Sequence, residues 1–160
     1  MTRIQSACAA LATAVAAATL MAFSAGAHSE HDAAVPGDPV SLRQHMMMNV
    51  GAAMGMAGKM AKGETPYDAA IAEAAFRIMN TAALGYPAHF PEGSLTDVSE
   101  AGPKIWTDSA GWDAVSAKFI ADTETAVKAK PADLEAFRPV FGMVAANCKA
   151  CHQDYRVKKN

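Results

Sequence analysis

Cysteine is scarce. The 160-residue chain has three, too few for a disulfide scaffold, and two of them stand three positions apart near the C-terminus. Charge of one sign is missing as well. With 14 basic and 16 acidic residues the formal net charge is −2, and no run of Lys and Arg marks a nucleic-acid surface. No strand-length run of alternating apolar and polar residues is bounded by turn signals, and no segment repeats. No base–nucleophile pair or carboxylate pair stands out, so the chain does not read as an enzyme. After the first 27 residues, no apolar run is long enough for stable membrane insertion.

The N-terminus carries one positive charge, Arg3, then an alanine-rich apolar run from Ala7 to Phe23 and a small-residue end at Ser24-Ala25-Gly26-Ala27. This pattern is a secretory signal with an A-x-A cleavage site, and it puts the mature start at His28. A membrane span is the competing reading, but the alanine content makes the run weakly hydrophobic. Residues 1–27 are therefore expected to be a cleaved signal peptide, 28–38 a disordered polar lead-in with Pro36 and Gly37, and 39–160 a single domain. Cys8 leaves with the signal. The expected location is a bacterial periplasm.

Helical periodicity fills the domain. The spacing predicts a helix over Pro39–Lys62 with Val40, Arg43, Met47, Val50, Met54, Ala57 and Ala61 turned inward. Gly51, Gly55 and Gly58 lower its propensity and invite close approach of a neighbouring helix or a flat cofactor. Gly63 stops it. Thr65 reads as the next N-cap with Pro66 at the first helical position, opening a helix with Ile71, Ala72, Ala75, Phe76, Met79, Ala82 and Ala83 inside, closed at Gly85. Residues 86–102 form a long connection, expected to cross one end of the bundle or line a cofactor edge. A third helix is predicted over Pro103–Lys128 with Ile105, Trp112, Phe119, Ile120 and Val127 as its apolar face. The last helix opens near Pro131 and carries Leu134, Phe137, Phe141, Val144, Cys148, Cys151 and Tyr155. Pro139 either kinks it or starts it. Four helices with mostly short links make an all-α, antiparallel four-helix bundle.

The cysteine pair falls on the apolar seam of the last helix. Cys148-Lys149-Ala150-Cys151-His152 is the C-x-x-C-H pattern of covalent c-type haem attachment. Each thiol adds across a haem vinyl group to form a thioether, and the adjacent imidazole is near enough to bind iron. On a helix, Cys148 and Cys151 share a face, and His152 lies one turn after Cys148. One haem c per chain, held through Cys148 and Cys151, follows from this reading. A structural zinc site is the alternative, but it needs a fourth ligand. A thioredoxin-like redox pair would sit beside a β-α-β pattern.

The second axial position decides what such a haem does. The first helix holds Met46-Met47-Met48. Only Met47 shares the stripe of Arg43, Val50 and Met54, since its neighbours are rotated about 100° to either side. Met47 is thus the candidate ligand; an apolar cap over the haem that does not bind iron is the other reading. His45 sits about 200° away, and His89 reads as a surface histidine in the loop. A buried Arg43 needs a partner. A haem propionate supplies one; a surface arginine paired with a local acid is the other reading. Arg156, one turn after His152, belongs either to the proximal side or to a solvated basic end with Lys158 and Lys159.

Taken together, these residues resemble the class II c-type cytochromes, the cytochrome c′ and cytochrome c-556 group. The resemblance rests on the C-terminal position of the haem motif and on Leu42-Arg43-Gln44 followed by Met47. It rests also on Lys62-Gly63-Glu64-Thr65-Pro66-Tyr67-Asp68, Lys104-Ile105-Trp106-Thr107-Asp108, Phe141-Gly142 with Val144, and Tyr155-Arg156. It spans the chain from about residue 39. It implies His152 as proximal ligand, with Met47 where c-556 proteins have an axial methionine and cytochromes c′ a non-coordinating apolar residue. Arg43 then matches an arginine near a propionate, and Arg156 a basic residue near the proximal histidine. Ala145 and Pro139 depart from the commoner pattern.

Two functions follow from this resemblance. One is a periplasmic single-electron carrier with His152 and Met47 on iron, working with redox partner proteins. The alternative is a five-coordinate haem protein that binds NO or CO. A homodimer is left open by both.

Overall fold

The structure is a computed structural model that describes residues 37–158. The signal peptide and most of the lead-in expected from the sequence lie outside the described residues.

The described residues form four long helices and one short one: α1 Pro39–Lys62, α2 Ala69–Gly85, α3 Lys104–Thr107, α4 Ser109–Ala129 and α5 Leu134–Tyr155, with a 3₁₀ turn at Tyr86–His89. Each long helix opens on an aspartate whose carboxylate accepts an orphan backbone N–H. Asp38 takes Ser41 at 2.7 Å, Asp68 takes Ile71 at 2.9 Å, Asp108 takes Gly111 at 3.2 Å and Asp133 takes Ala136 at 2.9 Å. A carboxylate at this position satisfies a donor the helix cannot satisfy itself and faces the positive end of the helix dipole. The cap of α2 is therefore Asp68, not Thr65: the helix starts three residues later, where the carboxylate takes the Ile71 N–H. α1 closes on Gly63 in the left-handed conformation, φ 76°. There Gly63 N–H donates to Met60 C=O and Glu64 N–H to Lys59 C=O, both at 2.9 Å, the paired bonds of a Schellman close.

The expected third helix is broken. Asp108, at φ −131° and ψ 58°, leaves the helical conformation while its N–H still ends α3 on the Lys104 carbonyl. The cap that starts α4 is what interrupts the run. α5, by contrast, is continuous through Pro139. Proline removes the bond that residue 139 would donate to the Glu135 carbonyl, but both residues are exposed, so water reaches the orphan oxygen.

The long helices form a ring in which α1 touches α2, α2 touches α4, α4 touches α5 and α5 returns to α1, the last pair in loosest contact. Their interior is an alanine-rich core. Val50, Ala53, Ala57 and Met60 of α1 meet Ala72, Ala75, Phe76, Met79 and Ala82 of α2, Ala126 of α4, and Phe137 and Val144 of α5. Phe137 stacks on Phe141 with ring centroids 5.5 Å apart and leans on Phe76 and Tyr67 at the same distance. Ile71, expected inside, is exposed. The α1 glycines also fall differently from the expectation: Gly51 and Gly55 face open space, and Gly58 alone approaches a neighbour, Phe141 of α5. Between helices, Asn80 donates to Thr123 and the buried Asn147 to Asp122, fixing α2 on α4 and α4 on α5. Among the described residues no helix is long and apolar enough to cross a membrane.

Candidate haem site at one end of the bundle

A second, aromatic cluster closes the end of the bundle where α1 begins and α5 finishes. Ile105, Trp112 and Tyr155 are its buried members, with Tyr86, Phe90, Trp106, Val115 and Cys151 against them. Phe90 meets Trp112 edge-on at 4.8 Å, and Trp112 meets Tyr155 edge-on at 5.4 Å. Such edge-to-face pairs add to the area they bury. The Tyr155 hydroxyl donates to Asp108 at 3.0 Å, so the last residue of α5 is tied to the cap of α4.

Cys148 and Cys151 are free, half-buried thiols on α5. Burial pushes both up, Cys151 to about 11. His152 is exposed, and its ring makes no hydrogen bond among the described residues. Partial burial of the imidazole, followed by the neighbouring Arg156, lowers its pKa, and Glu100 opposes them. A neutral ring offers iron a lone pair. Among the described residues no three His, Cys, Asp or Glu side chains gather as a metal cluster, so the zinc reading finds no donor set. Two protonated thiols and a neutral imidazole, none engaged by a protein partner, do fit a covalently attached haem.

Met47 and Met46 are both half-buried, and Met48 is exposed. Met46 turns toward the end of α2, where its methyl lies 3.2 Å from the position a Cβ would take at Gly85. Met47 shares its helix stripe with Met54 and Gly58, the side of α1 that meets α5. His45 faces solvent, its Nδ1 2.9 Å from the Ser41 carbonyl oxygen, well away from that side.

Arg43 is 3% exposed, which rules out the surface-arginine reading. The 86–102 connection holds it. Nη1 donates to the His89 carbonyl at 2.7 Å and the Ser94 hydroxyl at 2.8 Å; Nη2 donates to the Ser94 carbonyl at 2.9 Å and the Ser99 hydroxyl at 3.1 Å. The guanidinium also lies 4.7 Å from the Phe90 ring centroid, within cation–π range. Burial lowers its pKa, and four donated bonds offset that cost without an acid. Sequence reasoning missed Ser94 and Ser99, two polar loop residues that carry no motif. Arg156 follows α5 in extended backbone and pairs with Glu100, so it is not part of a free basic tail.

Residues 38–156 match the family model described as Cytochrome C'. A cytochrome c-556 from Agrobacterium tumefaciens (strain II Chrys) is 38% identical over 120 residues, 75% of this chain and 98% of that protein. A cytochrome c' from Alcaligenes xylosoxydans xylosoxydans is 35% identical over 128 residues, 79% of this chain and 98% of the relative. Among solved structures, cytochrome c' from Rhodopseudomonas palustris superposes with TM-score 0.72 at 31% identity, covering 77% of this chain and 98% of that one. Fold and donor set thus define a c-type haem protein built on an antiparallel four-helix bundle. The chain belongs to the cytochrome c′ family, whose cofactor is covalently attached haem c.

Proposed function

We propose that this protein is a periplasmic single-electron carrier, with haem c tethered to Cys148 and Cys151 and with His152 and Met47 as its axial ligands. Haem c supplies one-electron iron chemistry when bound. The observation that carries the reading is the register of α1 against α5. Gly58 faces Phe141, and the Ala61 carbonyl accepts from Arg138 Nε at 2.8 Å. Three residues up α1 therefore correspond to three residues back along α5, as an antiparallel pair requires. With the same rise per residue in both helices, eleven residues back from Gly58 is Met47, and eleven on from Phe141 is His152. The same register sets Gly51, which has no side chain, opposite Cys148. A thioether sulfur on one face and an imidazole on the other is a ligand pair that raises the reduction potential of a carrier haem.

The chain's own residues have distinct tasks on this reading. Cys148 and Cys151 tether, His152 donates its neutral ring nitrogen, and Met47 excludes other ligands from the far side. Arg43 holds the 86–102 connection over the end of the site, one turn from Met47, leaving only its Nε proton for a propionate. Arg156 stands beside the His152 turn. Location in the periplasm is supported by the leader and by haem attachment after export, and redox proteins are the expected partners.

A second reading keeps Met47 off the iron and leaves that side open to NO or CO. It is favoured by the solved relatives named cytochrome c prime, among them a nitric oxide complex at TM-score 0.68 and 34% identity. Optical spectra of oxidised and reduced holoprotein decide between the two. Electron-carrier function requires a low-spin ferric spectrum with a methionine–iron charge-transfer band that Met47→Ala abolishes. A high-spin ferric spectrum unchanged by that substitution, with ready CO binding to the ferrous protein, would establish the second reading instead.

A further inference from the structure

The 86–102 connection is fastened from two sides by adjacent residues. Ser99 accepts from Arg43 of α1. Glu100, the next residue, accepts from Arg156 at the end of α5, with Nε donating to Oε2 at 2.6 Å and Nη2 pairing with the same oxygen. Backbone bonds frame that ion pair: Gly102 N–H donates to the Tyr155 carbonyl at 2.8 Å and Val157 N–H to the Glu100 carbonyl at 2.9 Å, an antiparallel bridge between Ala101 and Arg156. Gly102 permits the approach, since a Cβ there would stand 3.2 Å from the Tyr155 carbonyl oxygen. Arg43 anchors the connection independently, so Glu100 is a fixed post rather than a partner that follows Arg156.

The pair is half exposed, 45% on each side, and an exposed ion pair contributes little to stability. What it fixes is position. Arg156 lies one turn after His152, on a long flexible stem. We propose that Glu100 is a positioning residue for the proximal side: it holds the Arg156 guanidinium on the connection and so sets the charge beside His152. The inference rests on the reading of His152 as the haem ligand.

Released, the cation is free to swing toward His152, where positive charge favours reduced over oxidised haem. The test is the midpoint potential of holoprotein, measured by spectroelectrochemical titration in wild type, Glu100→Gln, Arg156→Gln and the double variant, as a double-mutant cycle. Glu100→Gln is expected to shift the potential positive, and by more when Arg156 is present than in the Arg156→Gln background. Equal shifts in the two backgrounds would mean that Glu100 acts only as a distant charge, and would overturn the proposal. Glu100→Asp, which keeps the carboxylate, is expected to restore most of the wild-type value; should Glu100→Gln unfold, Glu100→Ala, which also removes the charge, carries the same comparison. Loss of covalent haem from wild-type protein would sink the functional reading and this inference with it; a normal haem spectrum with equal shifts sinks the inference alone.

Discussion

Ser94 takes both arms of the Arg43 guanidinium, its hydroxyl accepting from Nη1 at 2.8 Å and its carbonyl from Nη2 at 2.9 Å. A planar fork that presents parallel donors suits such an arrangement, and an ammonium does not. These bonds join α1 to a connection with little regular structure of its own, which Arg43 fastens at His89, Ser94 and Ser99.

Arg43→Ala is expected to cost about 3 kcal/mol, because it leaves buried hydroxyl and carbonyl groups of the connection without donors. Arg43→Lys should recover less than half of that. Urea unfolding monitored by circular dichroism measures both. A lysine variant as stable as wild type would show that charge, not the fork, is what the loop needs.

Gly111 stands where no side chain fits. A Cβ there would lie 2.5 Å from Asp108 Oδ2 and closer still to the Tyr155 hydroxyl. Gly111→Ala should therefore separate Tyr155 from Asp108 and destabilise the protein by about 1–3 kcal/mol, the usual cost of overpacking. Added helix propensity would act in the opposite direction, so a stabilised variant would refute the contact.

The same pair gives stability two pH limits. The hydrogen bond from Tyr155, then the Gly111 N–H, hold the Asp108 carboxyl below its ordinary range. Its contribution is present above the unfolded value, near 3.8, and is lost as pH falls through the lower folded value. Burial first, then Asp108, push Tyr155 up to about 12. That contribution is complete below the unfolded value, near 10, and is lost as pH rises toward 12. In Tyr155→Phe both limbs of the stability–pH curve should flatten. An unchanged acid limb would assign the Asp108 shift to other partners.

Phe137 is fully buried between Tyr67, Phe76 and Phe141. Phe137→Ala removes a ring that α5 presents to the other helices and should cost about 3–5 kcal/mol. The haem spectrum of whatever protein folds should be unaltered, because the ring lies about three turns before Cys148. A shifted spectrum without loss of stability would contradict this division between core and site.

Much of the architecture was legible because its causes are local. Proline at the start of α1, glycine at its end and apolar residues every three or four positions place that helix correctly. Two errors share one cause. Thr65 read as a cap and the 103–128 run read as one helix because periodicity does not register an aspartate's grip on N–H groups two or three residues ahead. Asp68 and Asp108 set both boundaries. Pro139 was undecidable from sequence, since its cost depends on whether the orphaned carbonyl meets water. The glycines of α1 were legible as weak helix formers, but not which of them meets another helix; Gly58 alone does so, against Phe141.

From sequence alone came the chemistry: two thiols and an imidazole at spacings that one helix presents together, an apolar stripe that selects Met47 from three methionines, and a bundle to hold them. These depend on bonds and periodicities within a few residues. Folding decided who meets whom across the chain. It gave Arg43 its partners at Ser94 and Ser99, gave Arg156 its partner at Glu100, and set the register of α1 on α5. A buried donor must find an acceptor somewhere, but which distant one it finds is a property of how helices and loops pack, and no local pattern encodes it.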